Sequence, residues 1–199
     1  MKRKITWIVL AVVLIGLIGG ASVLYDRLGS EFSMEQLATQ PAEPVQAEPA
    51  DPEQQTEATE PALAPDFKAV DGEGKESSLS DYFGKPIVLN FWASWCGPCK
   101  SEMPDFNEAY LAQGEEIQFL MVNMTDGARE TLDIAKGFVA DAGYSFPVLY
   151  DVNQEAAMTY GVSSLPTTIF ISADGTMTAY AMGAIDADTL QRGIAMIAE

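Results

Sequence analysis

The chain has 199 residues, with 11 basic and 29 acidic side chains and no histidine, and its formal net charge is −18. This acidic balance argues against a nucleic-acid partner, because binding to a phosphate backbone needs a basic surface. The absence of histidine excludes Ser-His-Asp and Cys-His catalysis, and two cysteines are too few to bind zinc without other ligands, so we expect no metal site.

The N-terminal segment has the pattern of a membrane anchor. Three basic side chains in residues 1–4 precede the uncharged residues 5–25. As a helix, this uncharged segment would span about 31 Å, close to the hydrocarbon thickness of a bilayer. Because basic flanks stay in the cytoplasm, the pattern predicts a single-pass protein of the cell membrane with a cytoplasmic N-terminus and an extracytoplasmic C-terminal part. The alternative is a cleaved signal peptide, with Gly-Gly-Ala at residues 19–21 as the cleavage site.

Residues 26–64 are predicted to form an acidic, proline-rich linker. From residue 31 to residue 65 the chain has eight acidic side chains, no basic ones, six prolines and a single aromatic side chain. This composition offers too little apolar surface to offset the entropy of folding, so we expect disorder. Prolines and like charges should extend the segment. It would serve either as a tether that lets the following domain reach its partners or as a simple spacer.

Residues 65–199 have the pattern of one α/β domain. Strand and helix patterns alternate and an antiparallel hairpin follows, which predicts a mixed central sheet flanked by helices. Two short strands near residues 67–70 and 76–79 should form an N-terminal β-hairpin, after which Ser80 should cap a brief helix. The other predicted strands are residues 86–92, 117–124, 146–150, 167–172 and 176–182, and the other predicted helices are residues 96–113, 130–142, 154–160 and 186–198.

The two cysteines carry the most specific chemical signal. Cys96 and Cys99 lie three residues apart, after a predicted strand and at the start of a predicted helix. Free N–H groups and the partial positive charge at a helix N-terminus stabilise a thiolate. We therefore expect Cys96 to be the attacking nucleophile and Cys99 to resolve the mixed disulfide. The alternative is a static structural disulfide.

The segment NFWASWCGPCK, residues 90–100, resembles the active-site segment of the thioredoxin superfamily. Pro104 matches the proline that kinks the family's active-site helix, and residues 164–167 resemble the loop that carries the family's cis-proline. The resemblance implies a thioredoxin-like fold. It also implies that Leu165 offers backbone hydrogen bonds to a bound substrate chain and that Pro166 keeps metals away from the thiolate.

Within that superfamily the chain most resembles the membrane-tethered TlpA/ResA-type oxidoreductases. Glu102 lies three residues after Cys99, where that subfamily places an active-site glutamate. Thioredoxins carry a buried aspartate where this chain has Asn90, which cannot accept a proton, so Glu102 is predicted to take that role. The alternative for Glu102 is a solvent-exposed helix residue. Trp95 borders the motif and is a candidate for covering the disulfide or contacting the substrate, with simple packing as the alternative.

The resemblance implies an extracytoplasmic reductase of protein disulfides that needs no cofactor besides its own dithiol. Its expected partners are proteins with disulfides, including apocytochrome c during cytochrome c maturation, and a transmembrane protein that supplies electrons. One alternative is a disulfide oxidase, which runs the same chemistry backwards. Another is a thiol peroxidase, which is disfavoured because no arginine lies near the motif in the sequence. The third is a non-enzymatic tethered module.

Overall fold

The computed structural model describes residues 62–198. The predicted anchor, residues 5–25, lies outside the described residues, as does nearly all of the predicted linker. Within residues 62–198, every helix is too short or too polar to span a bilayer.

A seven-stranded mixed β-sheet forms the centre of the domain. Its strands are β1 (Lys68–Val70), β2 (Glu76–Ser78), β3 (Ile87–Trp92), β4 (Gln118–Asn123), β5 (Val148–Tyr150), β6 (Thr167–Ile171) and β7 (Met177–Met182). They lie in the order β2-β1-β5-β4-β3-β6-β7. β3, β4 and β5 are parallel, β6 and β7 are antiparallel to their neighbours, and β1 and β2 pair antiparallel at the opposite edge. The predicted mixed sheet is therefore confirmed.

Helices cover both faces of this sheet. They are the 3₁₀ helix Leu79–Tyr82, α1 (Gly97–Gln113), α2 (Leu132–Ala142), α3 (Glu155–Thr159) and α4 (Ala187–Ile197). The prediction that Ser80 caps the brief helix was wrong, because Ser78 is the N-cap and its backbone N–H donates to Asp81 at 2.9 Å. The prediction that the second long helix begins at residue 130 was also wrong. Its N-cap is Thr131, whose hydroxyl accepts from the Ile134 N–H, so Glu130 precedes the helix.

The alternation of side chains along β3 divides the core into two layers. All six of its residues are buried, as predicted for a strand covered on both faces. Val88 and Trp92 pack with residues of α1, α2 and α4, whereas Ile87, Leu89 and Phe91 pack with residues of the 3₁₀ helix and α3 on the other face. β3 therefore runs through the middle of the core, and its C-terminal end leads directly into the cysteine motif.

Candidate active site

The cysteine motif lies where β3 passes into α1. Cys96 is the N-cap residue of α1, and its Sγ accepts a hydrogen bond from the Cys99 backbone N–H at 3.2 Å. Pro98 lies in the first turn, where its missing N–H interrupts no helical hydrogen bond. Cys96 and Cys99 form a disulfide, with their Cα atoms 5.3 Å apart. The predicted position of the pair at a helix N-terminus is therefore confirmed.

The two cysteine residues differ in their exposure to solvent. Cys96 is 5% exposed, whereas Cys99 is fully buried. An incoming disulfide can therefore reach Cys96 before it can reach Cys99. This asymmetry matches the roles predicted for them, with Cys96 as the nucleophile and Cys99 as the resolving thiol.

Glu102 lies one helical turn beyond Cys99 and is only 2% exposed. One of its carboxylate oxygens accepts from Asn90 Nδ2 at 2.9 Å, and the other accepts from the Ile185 backbone N–H at 2.9 Å. Burial raises the pKa of Glu102 to about 7; the two hydrogen bonds oppose that rise, and the nearby charge of Asp105 adds slightly to it. The alternative of a solvent-exposed helix residue was therefore wrong. A carboxyl group with this pKa can accept and release a proton at neutral pH.

Asn90 supports the Glu102 carboxylate from the middle of β3. Its Nδ2 donates both to Glu102 and to the hydroxyl of Thr168 at 3.0 Å, and all three residues are buried. Among the described residues, Asn90 Oδ1 has no hydrogen-bond partner. Sequence reasoning correctly denied Asn90 a proton-accepting role but missed its role in orienting the acid.

The loop before β6 forms the other wall of the site. The peptide bond between Leu165 and Pro166 is cis, as the resemblance of this loop implied. Leu165 is partly exposed and lines a surface groove with Cys96 and Trp95, whereas Pro166 is buried. We call this groove the Cys96 groove. The binding roles of Trp95, Leu165 and Pro166 stay predictions.

Arg129 also lies on the rim of the Cys96 groove. Its guanidinium carbon is 3.8 Å from the centre of the Trp95 ring, and Trp95 itself is 40% exposed. This distance is that of a cation–π contact. The argument that the motif lacks a nearby arginine was therefore wrong in three dimensions, because a residue 33 positions after Cys96 is folded back beside it.

A second buried acid was missed by sequence reasoning. Glu130 is fully buried, and its carboxylate accepts hydrogen bonds from the Ser94 backbone N–H, the Ser94 hydroxyl and Asn123 Nδ2 at 2.8, 2.6 and 2.7 Å. The helical pattern of the sequence had assigned Glu130 to α2. The signal available was Thr131, a good N-cap residue, which places the preceding glutamate outside the helix.

Metal binding finds no support in the part of the chain that the structure describes. Within residues 62–198, no group of three or more acidic or cysteine side chains is arranged to hold an ion. The expectation that the chain needs no cofactor besides its own dithiol stays a prediction.

Comparison with known proteins identifies the family of this chain. Residues 62–180 match the model of the AhpC/TSA family. The chain belongs to this family. Thiol-disulfide oxidoreductase ResA of Geobacillus thermodenitrificans is 40% identical over 115 residues, which cover 57% of this chain and 64% of the relative. Thiol-disulfide oxidoreductase ResA of Geobacillus kaustophilus is 34% identical over 137 residues, which cover 68% of this chain and 76% of that relative.

A solved structure supports the same fold. The chain resembles a putative thiol:disulfide interchange protein DsbE from Chlorobium tepidum, with a TM-score of 0.62 and 30% identity, covering 70% of this chain and 97% of that one. The predicted thioredoxin-like fold and the likeness to ResA-type proteins are confirmed. This chain spans somewhat less than two thirds of the length of ResA from Geobacillus thermodenitrificans.

Proposed function

We propose that this protein is a thiol–disulfide oxidoreductase that reduces disulfides in other proteins through Cys96 and Cys99. One observation carries the proposal: a cysteine at the N-terminus of α1 opens onto the groove beside the cis-proline loop, with a second cysteine buried one turn behind it. The relatives named thiol-disulfide oxidoreductases add support. A purely structural disulfide would not need a surface groove at Cys96.

The proposed reaction begins with the reduced dithiol. The Cys96 thiolate attacks one sulfur of the substrate disulfide, forming a mixed disulfide and releasing the other substrate sulfur as a thiolate. Glu102 accepts the proton of the Cys99 thiol, and the Cys99 thiolate then attacks Cys96 Sγ. The second substrate thiolate leaves, and Cys96–Cys99 is left as a disulfide. Two electrons thus pass from the dithiol to the substrate.

The same proposal includes a place for the protein in the cell. Residues 5–25 would anchor it in the cell membrane, residues 26–64 would link the anchor to the domain, and the domain at 65–199 would work on the outer side. A transmembrane protein would then return electrons to the disulfide, and apocytochrome c would be among the clients. The charge pattern of the N-terminus and the resemblance to TlpA/ResA-type proteins support this arrangement.

Membrane fractionation and protein mass test the anchor together. The full-length protein should stay with membranes after an alkaline carbonate wash and should have the mass of the uncut chain. Release into the supernatant with loss of about 20 residues would instead support a cleaved signal peptide.

Reduction of insulin by dithiothreitol tests the chemistry. The protein should accelerate the reaction, whereas Cys96→Ser should not; equal rates for the two proteins would refute the proposal and favour a static disulfide. The midpoint potential separates the direction of electron flow. A value near thioredoxin, about −270 mV, supports a reductase, and one near about −120 mV supports an oxidase. Cys99→Ser should accumulate mixed disulfides with client proteins, which identifies them.

Thiol peroxidase activity is the second candidate, favoured by the position of Arg129 on the rim of the Cys96 groove. In that reaction the Cys96 thiolate attacks the terminal oxygen of a peroxide and the O–O bond breaks. Cys96 becomes a sulfenic acid, and the leaving alkoxide takes a proton from water and departs as an alcohol. Cys99 then condenses with the sulfenic acid, forming the disulfide and water. Peroxide consumption by the reduced protein, lost in Cys96→Ser, would establish this activity, and its absence would leave disulfide exchange alone.

A further inference from the structure

We propose that Glu130 is a positioning residue that holds Cys96 at the N-terminus of α1 by fixing Ser94. This inference rests on the proposed function, because it assigns Glu130 a purpose only if Cys96 reacts. Glu130 comes 34 positions after Cys96 in the sequence, and it acts through the loop that delivers the cysteine.

The carboxylate of Glu130 accepts two hydrogen bonds from Ser94. One oxygen accepts from the Ser94 backbone N–H at 2.8 Å and from Asn123 Nδ2 at 2.7 Å, and the other accepts from the Ser94 hydroxyl at 2.6 Å. Glu130 is fully buried, so a displaced Ser94 would leave a carboxylate oxygen without a partner and away from water. Hydrogen bonds to a carboxylate are also about twice as strong as neutral ones. The position of Ser94 is therefore tightly set.

Glu130 is itself held by its own loop. Its backbone N–H donates to Asp126 Oδ1 at 2.8 Å, and its backbone carbonyl accepts from the Gly127 N–H at 3.1 Å. Asn123, which donates to the carboxylate, is the last residue of β4 and pairs in register with Trp92 at the end of β3. The carboxylate is thus bonded to the end of the central strand β4, which pairs with β3, and it can serve as a fixed reference for the motif loop.

Ser94 lies inside the turn that presents Cys96. The Cys96 backbone N–H donates to the Ala93 carbonyl at 3.1 Å, which closes a turn over residues 93–96. Because Ser94 occupies the second position of this turn, fixing it fixes the direction from which the chain enters α1. The residue before Glu130 makes a parallel contact, since Arg129 lies over Trp95. Two consecutive residues of one loop therefore hold the two consecutive residues that precede Cys96.

The position of Ser94 should affect the reactivity of the Cys96 sulfur. The stabilisation of a thiolate by a helix N-terminus falls off within one turn, so it depends on where the N-cap side chain sits. Loosening Ser94 should let Cys96 move away from the free N–H groups of α1. We expect the fraction of Cys96 present as thiolate at neutral pH to fall about three- to tenfold.

The test compares Glu130→Ala and Glu130→Gln with a control that weakens an equivalent contact between a carboxylate and a serine elsewhere in the domain. Asp66 accepts from the Ser80 backbone N–H at 3.0 Å and the Ser80 hydroxyl at 2.8 Å, at the edge of the sheet that holds β1 and β2. Asp66→Asn is therefore the matched control. Each change is made in the full chain that also carries Cys99→Ser, so that a single thiol reacts with iodoacetamide across a range of pH.

Glu130→Ala should slow alkylation at pH 7 about three- to tenfold and shift the pH profile to higher pH. Glu130→Gln should recover part of the rate, because its amide oxygen can keep the bonds from the Ser94 N–H and Asn123. Asp66→Asn should react like the parent protein. The midpoint potential of the variants with both cysteines should shift with Glu130→Ala and not with Asp66→Asn, which a merely structural role would not produce.

Circular dichroism first establishes which variants are folded. A folded Glu130→Ala protein with the parental alkylation profile would overturn the inference. If Glu130→Ala does not fold, Ser94→Ala decides the matter, since it removes only the hydroxyl contact and should slow alkylation about twofold; an unchanged rate there would also overturn it. If the parent protein itself does not react at neutral pH, the proposed function fails, which is a different outcome.

Discussion

Replacing Glu102 with glutamine should change how the stability of the protein depends on pH. Glutamine keeps the shape of the side chain and cannot ionise. The site can accept it, because Asn90 Oδ1 lacks a partner among the described residues and can turn to accept from the new amide group. The Ile185 N–H can still donate to the amide oxygen. The substitution therefore removes the charge with little change in packing.

The size of the effect follows from the pKa of Glu102. Burial raises it from 4.5 to about 7 in the folded protein, a difference of about 2.5, and each unit corresponds to about 1.36 kcal/mol. The folded state keeps a proton that the unfolded state loses as the pH rises from 4.5 to 7. Wild-type stability should therefore be highest relative to the variant below pH 4.5 and should fall by about 3 kcal/mol by the time the pH exceeds 7. About 2.5 kcal/mol of this change lies between pH 5 and pH 8.

Urea unfolding of the oxidised full chain in detergent at these two pH values measures the change. The free energy of unfolding of Glu102→Gln minus that of the wild type should increase by about 2.5 kcal/mol from pH 5 to pH 8. Glu108→Gln is the matched control, because Glu108 lies on the same helix but is exposed to solvent, which screens its charge. A difference that does not vary with pH would refute the view that burial raises the pKa of Glu102 in the folded protein.

Three further predictions follow from the same structure. Glu102→Gln should slow the displacement of the mixed disulfide by Cys99 by about 10²-fold or more at neutral pH, measured by stopped-flow fluorescence, if it is the proton acceptor. Asn90→Ala removes a hydrogen bond that stabilises the Glu102 carboxylate, so the pKa of Glu102 should rise above its wild-type value in an NMR titration; an unchanged or lower value would contradict the orienting role. Gly193→Ala forces a methyl group against the ring of Phe170 and should lower the free energy of unfolding by about 1–3 kcal/mol, whereas Gly137→Ala meets open space and should be neutral or stabilising.

Local sequence patterns were sufficient where the physical cause is local. The run of apolar residues in β3 predicted a strand buried on both faces, and every residue of that strand is buried. The spacing of Cys96 and Cys99, together with Gly97-Pro98, predicted a helix beginning at the motif. Both features depend on residues that are adjacent in the chain, so they can be predicted from a single sequence.

The burial of Glu102 was only partly accessible from sequence. Glutamate is usually exposed, so its type alone pointed to the surface. Its helical position pointed the other way, because Cys99, Met103 and Phe106 define a buried stripe of α1 and Glu102 lies beside them. The Ile185 N–H that satisfies the second carboxylate oxygen is 83 residues away, and no local pattern predicts that contact.

The contacts of Glu130 and Arg129 near the motif were not predicted from the sequence, and both failures have the same cause. Each contacts a residue more than 30 positions earlier, because the loop after β4 lies beside the loop after the parallel strand β3. Parallel neighbours bring their C-terminal ends to the same edge of the sheet. The topology could have suggested that these loops meet, but the periodicity of the sequence carries no information about which side chains pair there.

Because the chain has no histidine, the buried carboxyl group of Glu102 is the proposed proton acceptor. In the proposed reaction a nearby group accepts the proton of the resolving thiol, and in this chain no imidazole can serve. Burial also raises the pKa of Asp151, but its carboxylate accepts from the Ala156 and Ala157 N–H groups at the start of α3, a helix that carries neither cysteine. Glu102 shares α1 with the dithiol, and its pKa of about 7 comes from the same burial that lowers stability above that pH. The cost of about 3 kcal/mol is thus the physical condition for the carboxyl group of Glu102 to act as the proposed proton acceptor at neutral pH.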